Sequence, residues 1–155
     1  MISPELLRRY PFFSELSAER LGDIAMITDE IQVSKGSTLF EECQPAGVLY
    51  FLVDGGIDLT YKSEEEFHPK TKKVFPVGEI NPGEVFGISA VIEPYVYNAS
   101  AMTNLDSRIL KIDAAGLHNL MNEDNAMGYS FMHQIAKATM ERLTHTRVQL
   151  AAAWA

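Results

Sequence analysis

Between Gly83 and Ala101 the chain reads Gly-Glu-Val-Phe-Gly-Ile-Ser-Ala-Val-Ile-Glu-Pro-Tyr-Val-Tyr-Asn-Ala-Ser-Ala. This is the frame of a phosphate-binding turn. Phe86-Gly87 closes a strand-like run, and Gly87 lets the backbone turn sharply into Ile88-Ser89-Ala90-Val91, a segment of one helical turn. Free N–H groups at such a turn attract an anion. Selective capture of a phosphate ester usually adds an arginine, whose planar fork makes charge-assisted bonds to the phosphate oxygens. No Lys or Arg occurs between Lys73 and Arg108, so the frame is present without its charged groups.

Other chemistry finds little support. A metal-dependent β-barrel needs a His-x-His pair and a downstream Glu converging inside the barrel. His68, His118, His133 and His145 are isolated from one another, and the last three fall in a helical exit, where they read as solvated side chains. The serines form no Gly-x-Ser-x-Gly elbow. Cys43 is the lone cysteine and has no histidine close in sequence, which excludes an intramolecular disulfide framework and a cysteine-rich metal centre. No catalytic residue, metal ligand or resident cofactor is expected.

The 155 residues, 46% hydrophobic, fit one globular domain over 1–155. A net charge of −8 argues against a broadly basic nucleic-acid surface, so no direct nucleic-acid contact is expected. The start, Met1-Ile-Ser-Pro-Glu-Leu-Leu-Arg-Arg, lacks the apolar core and cleavage site of a signal peptide, and no run of about 18 apolar residues suggests a membrane span. The expected compartment is the cytoplasm.

Positioning the turn falls to three regions: entry helices over 1–30, a β-barrel over 31–112 carrying the cassette at 85–101, and C-terminal helices over 113–155. Ser3-Pro4 forms a cap and first helical position, and Ser17 caps a second helix through about Asp29. Val48–Val53 and Ile57–Tyr61 flank Asp54-Gly55-Gly56, the signal of a hairpin. Further strands are expected over Lys72–Val77, Ser100–Thr103 and Arg108–Ile112, with a tight turn at Asn81-Pro82-Gly83. Ser63–Glu66 and Lys70–Lys73 read as a charged hairpin tip. Asp113 caps a short helix to about Met121, and a long one runs from about Asp124 to Leu150. A seven-residue spacing links Ala136, Leu143 and Leu150 along it, and at about 1.5 Å per residue it outreaches a small barrel. A homodimer through this helix is expected.

In its order of elements the chain resembles the cyclic nucleotide-binding domain family, which includes the sensory domains of Crp/Fnr-type regulators. Leu7-Arg-Arg-Tyr-Pro-Phe-Phe-Ser-Glu-Leu16 is similar to the family's entry, and Lys35-Gly36 with Leu39-Phe40-Glu41 to its early strand and turn. Val48–Gly55 resembles the strand before its glycine turn; Gly83–Gly87 and Ala99-Ser100-Ala101 resemble the two ends of its phosphate-binding cassette. The resemblance implies a mainly β fold with flanking helices: a double-stranded β-helix, or jelly-roll barrel, with N-terminal helices and a long C-terminal helix.

It also implies a ligand site built from Phe86, Gly87, Ile88, Ser89, Ala90, Tyr97, Asn98, Ala99 and Ser100, with Thr146 and Arg147 approaching from the long helix. Where nucleotide-binding members carry a Glu for the ribose hydroxyl, this chain has Ile88; where they carry the phosphate-binding Arg, it has Tyr97. Small bacterial members with a large apolar residue at the Glu position, standing without a DNA-reading domain, share the first departure. With the sequence ending at Ala155, no winged helix-turn-helix is expected. The implied function is a non-catalytic sensory or regulatory module. Its ligand is a cyclic nucleotide or another anionic metabolite, or it is a ligand-free pseudo-sensor serving dimerisation and a protein effector.

Overall fold

The computed structural model describes residues 1–64 and 72–155. The chain enters through α1, Pro4–Arg8, whose Ser3 cap accepts a bond from the Glu5 amide and whose first position is proline. A 3₁₀ turn, Pro11–Phe13, follows, and then α2, Ala18–Met26, capped by Ser17. α2 stops short of the expected Asp29. Thr28 is fully buried, donates its hydroxyl to the Ile24 carbonyl at 2.6 Å and begins strand β1, Thr28–Val33, so pairing with β8 overrides any tendency to continue the helix.

Among the described residues, eight strands form two antiparallel four-stranded sheets. One has the order β1-β8-β3-β6, with β3 Val48–Asp54, β6 Val85–Phe86 and β8 Ser107–Asp113. The other has the order β2-β7-β4-β5, with β2 Thr38–Phe40, β4 Ile57–Glu64, β5 Lys72–Ile80 and β7 Ser100–Thr103. Together with the helices this is the expected jelly roll. The expected hairpin between Val48–Val53 and Ile57–Tyr61 does not form, because β3 and β4 belong to different sheets. The glycines there solve a packing problem: a Cβ on Gly55 would lie 2.2 Å from the Ser107 hydroxyl, and one on Gly56 would lie 2.2 Å from the Asn104 side chain. Two glycines let the chain cross between sheets beneath the β7–β8 turn.

β5 runs on to Ile80 rather than ending at Val77, pairing along β4 from Lys72 to Ile80 with a register shift between Leu59 and Thr60. The tip of the charged loop, 65–71, and with it His68, lies outside the described residues.

β3 shows why the barrel needs its helices. Leu49, Tyr50, Phe51 and Leu52 are all buried, so both faces of the strand are covered. Tyr50 stacks with Phe86, while Phe51 meets Phe13 at 5.2 Å from the entry segment. Phe12 adds an edge-on contact to Phe131 of the last helix, closing an aromatic seam between the two ends of the chain.

Asp113 caps α3, Ala114–Glu123, two residues longer than expected; Asp124 caps α4, Asn125–Ala153. Arg20 of α2 donates to the same Asp124 carboxylate at 2.9 Å and to Asp23 at 2.9 Å. The long helix is thereby tied at its root. α4 buries Met127, Phe131 and Ile135; further along it, Met140, Leu143, Leu150 and Trp154 are 62%, 40%, 59% and 85% exposed.

Candidate functional site

The approach to the cassette is set by the turn before it. Gly83 takes φ 87°, its amide bonds the Leu52 carbonyl at 2.8 Å, and the Glu84 carboxylate folds back to accept from the Asn81 amide at 3.0 Å. This aims Val85 and Phe86 along β3, where Phe86 pairs with Tyr50. Gly87 then adopts the left-handed conformation, φ 70° and ψ 35°, and Ile88–Val91 make a single 3₁₀ turn. Ala90 and Val91 bury their side chains, and Ile88 and Ser89 are half-buried.

The return limb is clamped by the loop after β2. The Cys43 amide bonds the Tyr97 carbonyl, the Tyr97 amide bonds the Gln44 carbonyl, and the Ala46 amide bonds the Tyr95 carbonyl, at 2.8, 3.0 and 2.8 Å. Tyr95 is held at φ 57°, a left-handed value unusual for a side-chain-bearing residue. Asn98 is exposed and Ala99 half-buried. The Ser100 hydroxyl accepts a bond from the Glu42 amide at 3.0 Å, so it is already engaged.

Aromatic rings pack against the Gly87 turn. Tyr97 is 5% exposed, stacks on Phe40 with ring centroids 3.9 Å apart, and donates its hydroxyl to the Val48 carbonyl at 2.7 Å. Tyr50 and Phe86 complete the cluster, with centroids 5.1 Å apart. A Cβ on Gly87 would sit 3.0 Å from Tyr50 and 3.4 Å from both Phe40 and Tyr97. Glycine is required there for its backbone angle and for the rings packed against it. Burial, and then the neighbouring Tyr50, push the Tyr97 hydroxyl up to about 12, so it is a neutral donor rather than an anion.

The site residues expected from sequence therefore divide. Phe86 through Ala90 form the Gly87 turn and Tyr97 packs against it, inside the core instead of facing a ligand, while Asn98, Ala99 and Ser100 follow on the return limb, with Ser100 bonded to the Glu42 amide. Thr146 and Arg147 are exposed on α4; Thr146 donates to the Arg142 carbonyl at 2.9 Å, and neither bonds the cassette among the described residues.

Two residues outside the expected site also reach this region. His118, read as solvated, is half-buried: its Nε2 lies 3.1 Å from the Ala90 carbonyl and its ring meets Tyr95 edge-on at 5.1 Å. Arg142 donates Nη2 to the Val85 carbonyl at 2.6 Å, joining α4 to the strand just ahead of Gly87. Burial lowers its pKa, against the opposing pull of Glu84 and Glu141. Its place one helical turn before Thr146 is the signal that could have found it.

The family model for the cyclic nucleotide-binding domain matches residues 30–124. Among solved structures, a protein designated cyclic nucleotide-binding from Geobacter metallireducens GS-15 is 36% identical, covers 92% of this chain and 99% of its own, and superposes with a TM-score of 0.79. The catabolite activator protein of Thermus thermophilus, 18% identical over 92% of this chain and 62% of its own, has a TM-score of 0.69 and shares the fold. A designated potassium channel protein of Rhodopseudomonas palustris is 24% identical over 78% of this chain, which spans only 27% of that channel's length. The chain belongs to the cyclic nucleotide-binding domain family.

Proposed function

We propose that this protein is a non-catalytic regulatory module of the cytoplasm whose cassette is closed to cyclic nucleotides by its own aromatic side chains, and which acts as a homodimer through α4. The observation that carries the first part is Tyr97, buried on Phe40 and bonded to Val48, where binding members of the family place the phosphate-neutralising arginine. Ile88 removes the second charged partner. Each missing ionic hydrogen bond is worth about 1.5–3 kcal/mol, so the pair accounts for roughly a hundredfold or greater loss of affinity.

The homodimer rests on the second half of α4. Ala136, Met140, Leu143, Arg147, Leu150 and Trp154 follow one another at alternating spacings of four and three, the rhythm of a coiled-coil seam, and all are exposed. A second chain would cover them and would leave the barrels free to meet a protein effector. Among the described residues no group of three or more His, Cys, Asp or Glu could hold a metal, and no helix is long and apolar enough to cross a membrane.

Calorimetry with cyclic AMP and cyclic GMP at millimolar concentration tests the closed cassette: no saturable heat is expected, and a dissociation constant at or below about 10 μM would overturn it. A second reading, a pocket rebuilt for another anionic metabolite, is favoured by the left-handed Gly87 turn and the retained Ala99-Ser100 pair. The double variant Ile88→Glu, Tyr97→Arg separates the two. A gain of cyclic AMP binding supports a degenerate site, and no gain supports a rebuilt one.

A further inference from the structure

Away from the cassette, a cleft of about 200 Å³ lies between the Pro11–Phe13 turn, the Gly83–Val85 segment and one face of α4. Its α4 wall carries the donors Gln134, Lys137 and Arg142. Its floor is apolar, with Pro11, Phe12 and Ala138 lining it.

Arg142 is the unusual group. A guanidinium carries five N–H donors, yet the acceptor it meets among the described residues is the Val85 carbonyl. Glu84 and Glu141 influence it without closing to salt-bridge distance, and Glu84 is turned toward the Asn81 amide. Burial costs this cation more than its neighbours return, as the direction of its pKa shift records. Lys137, likewise, forms no ion pair among the described residues. A cation desolvated beside an open cleft, with unused donors in a planar fork, is suited to a ligand carboxylate.

We infer that this cleft binds a small organic monocarboxylate, its carboxylate on Arg142 and Lys137 and its apolar end against Phe12. Volume and charge choose this class. Pockets for drug-sized ligands run from about 300 Å³ upward, so a nucleotide does not fit. Two cations and two glutamates together leave the wall near neutral, so the site does not offset the larger desolvation cost of a doubly charged phosphate, whereas a monocarboxylate with an apolar end matches both Arg142 and the apolar lining. The bound acid would touch both α4 and the residues leading into Gly87, coupling helix to barrel. The inference depends on neither the closed cassette nor the dimer.

Benzoate is the probe, with benzamide as its neutral counterpart and inorganic phosphate as the competing anion, all at constant ionic strength. Benzoate is expected to raise the melting temperature saturably and to shift the amide resonances of Phe12 and Ala138, while benzamide and phosphate do neither. Lys137→Gln, an exposed position, should weaken benzoate about fivefold, and Arg142→Gln should abolish saturation. If Arg142→Gln fails to fold, Lys137→Gln combined with Gln134→Ala takes its place with the same expected loss. Absence of saturable binding at tens of millimolar benzoate overturns the inference. So does equal binding of benzamide or phosphate, or benzoate affinity unchanged in the folded variants.

Discussion

Tyr97 lies nearly parallel to Phe40, with ring planes 15° apart and centroids at 3.9 Å, and its hydroxyl is spent on the Val48 carbonyl. A side chain so placed is part of the core, and its removal should read as core loss. Tyr97→Phe keeps the stack and forfeits one hydrogen bond, an expected loss of about 0.5–1.5 kcal/mol; Tyr97→Ala opens a cavity, about 3–5 kcal/mol. Urea unfolding of both variants checks the ratio. Equal and negligible effects would mean that the ring is not held in the core.

The same burial has an alkaline signature. Tyr97 in the folded protein ionises near 12, above the ordinary value of 10.0, and Tyr50 is also raised by burial. Because the folded state holds the proton more tightly, this stabilisation is complete below the unfolded pKa and is lost as pH rises through the folded one. Ultraviolet titration of the six tyrosines should show two late transitions, and Tyr97→Phe should remove the latest. Stability of the wild type should fall between the two values more steeply than that of the variant.

Gly87→Ala should be costly in spite of the small size change. The left-handed angle penalises a side chain by about 1–3 kcal/mol, and the new methyl would press on Tyr50 at 3.0 Å. Gly83→Ala has the positive φ, but nothing lies within 4 Å of the added Cβ. It is expected to lose less stability than Gly87→Ala, and thermal melts of the two variants separate angle from packing.

Glycines made the cassette legible in the sequence, since Gly83 and Gly87 mark where the backbone must turn. The same residue misled at Gly55-Gly56, because a glycine pair announces a reversal without saying which strand receives the chain. That choice belongs to β8, which lies beside β3 and separates it from β1, a pairing no local pattern contains. Likewise, Ile88 and Tyr97 could be read as missing charges, but the direction of the Tyr97 ring depends on Phe40 and Val48, far earlier in the chain. Arg142 and His118 escaped for the same reason: each is defined by a carbonyl on a distant segment.

Asp124 gives a prediction on the acid side. The Met127 amide, then the Arg20 guanidinium, hold its carboxyl below the usual aspartate range, against the opposing effect of desolvation. A depressed folded pKa contributes stability that is present above the unfolded value and lost as pH falls through the folded one. Asp124→Asn keeps a capping oxygen but removes the titration, so its stability should depend less on pH below the ordinary aspartate range than that of the wild type. Parallel acid-unfolding curves would show that the capping carboxylate contributes nothing to the pH dependence.

The dimer prediction turns on α4 beyond Ala138, where Arg142 still bonds the Val85 carbonyl but the apolar Met140, Leu143, Leu150 and Trp154 meet water. Exposed area of this kind is worth about 25 cal/mol per Å² when covered, and two parallel copies would cover Met140, Leu143, Leu150 and Trp154 at once. Leu143→Glu places a charge at the middle of the seam and should give folded monomers by sedimentation. In such a seam Arg147 would take a core position and would disfavour tight pairing, so Arg147→Leu should strengthen the dimer. The two variants pull in opposite directions, which distinguishes a coiled-coil seam from general stickiness. A wild-type monomer at tens of micromolar, or a dimer indifferent to both changes, would mean that some other surface, or none, covers this helix.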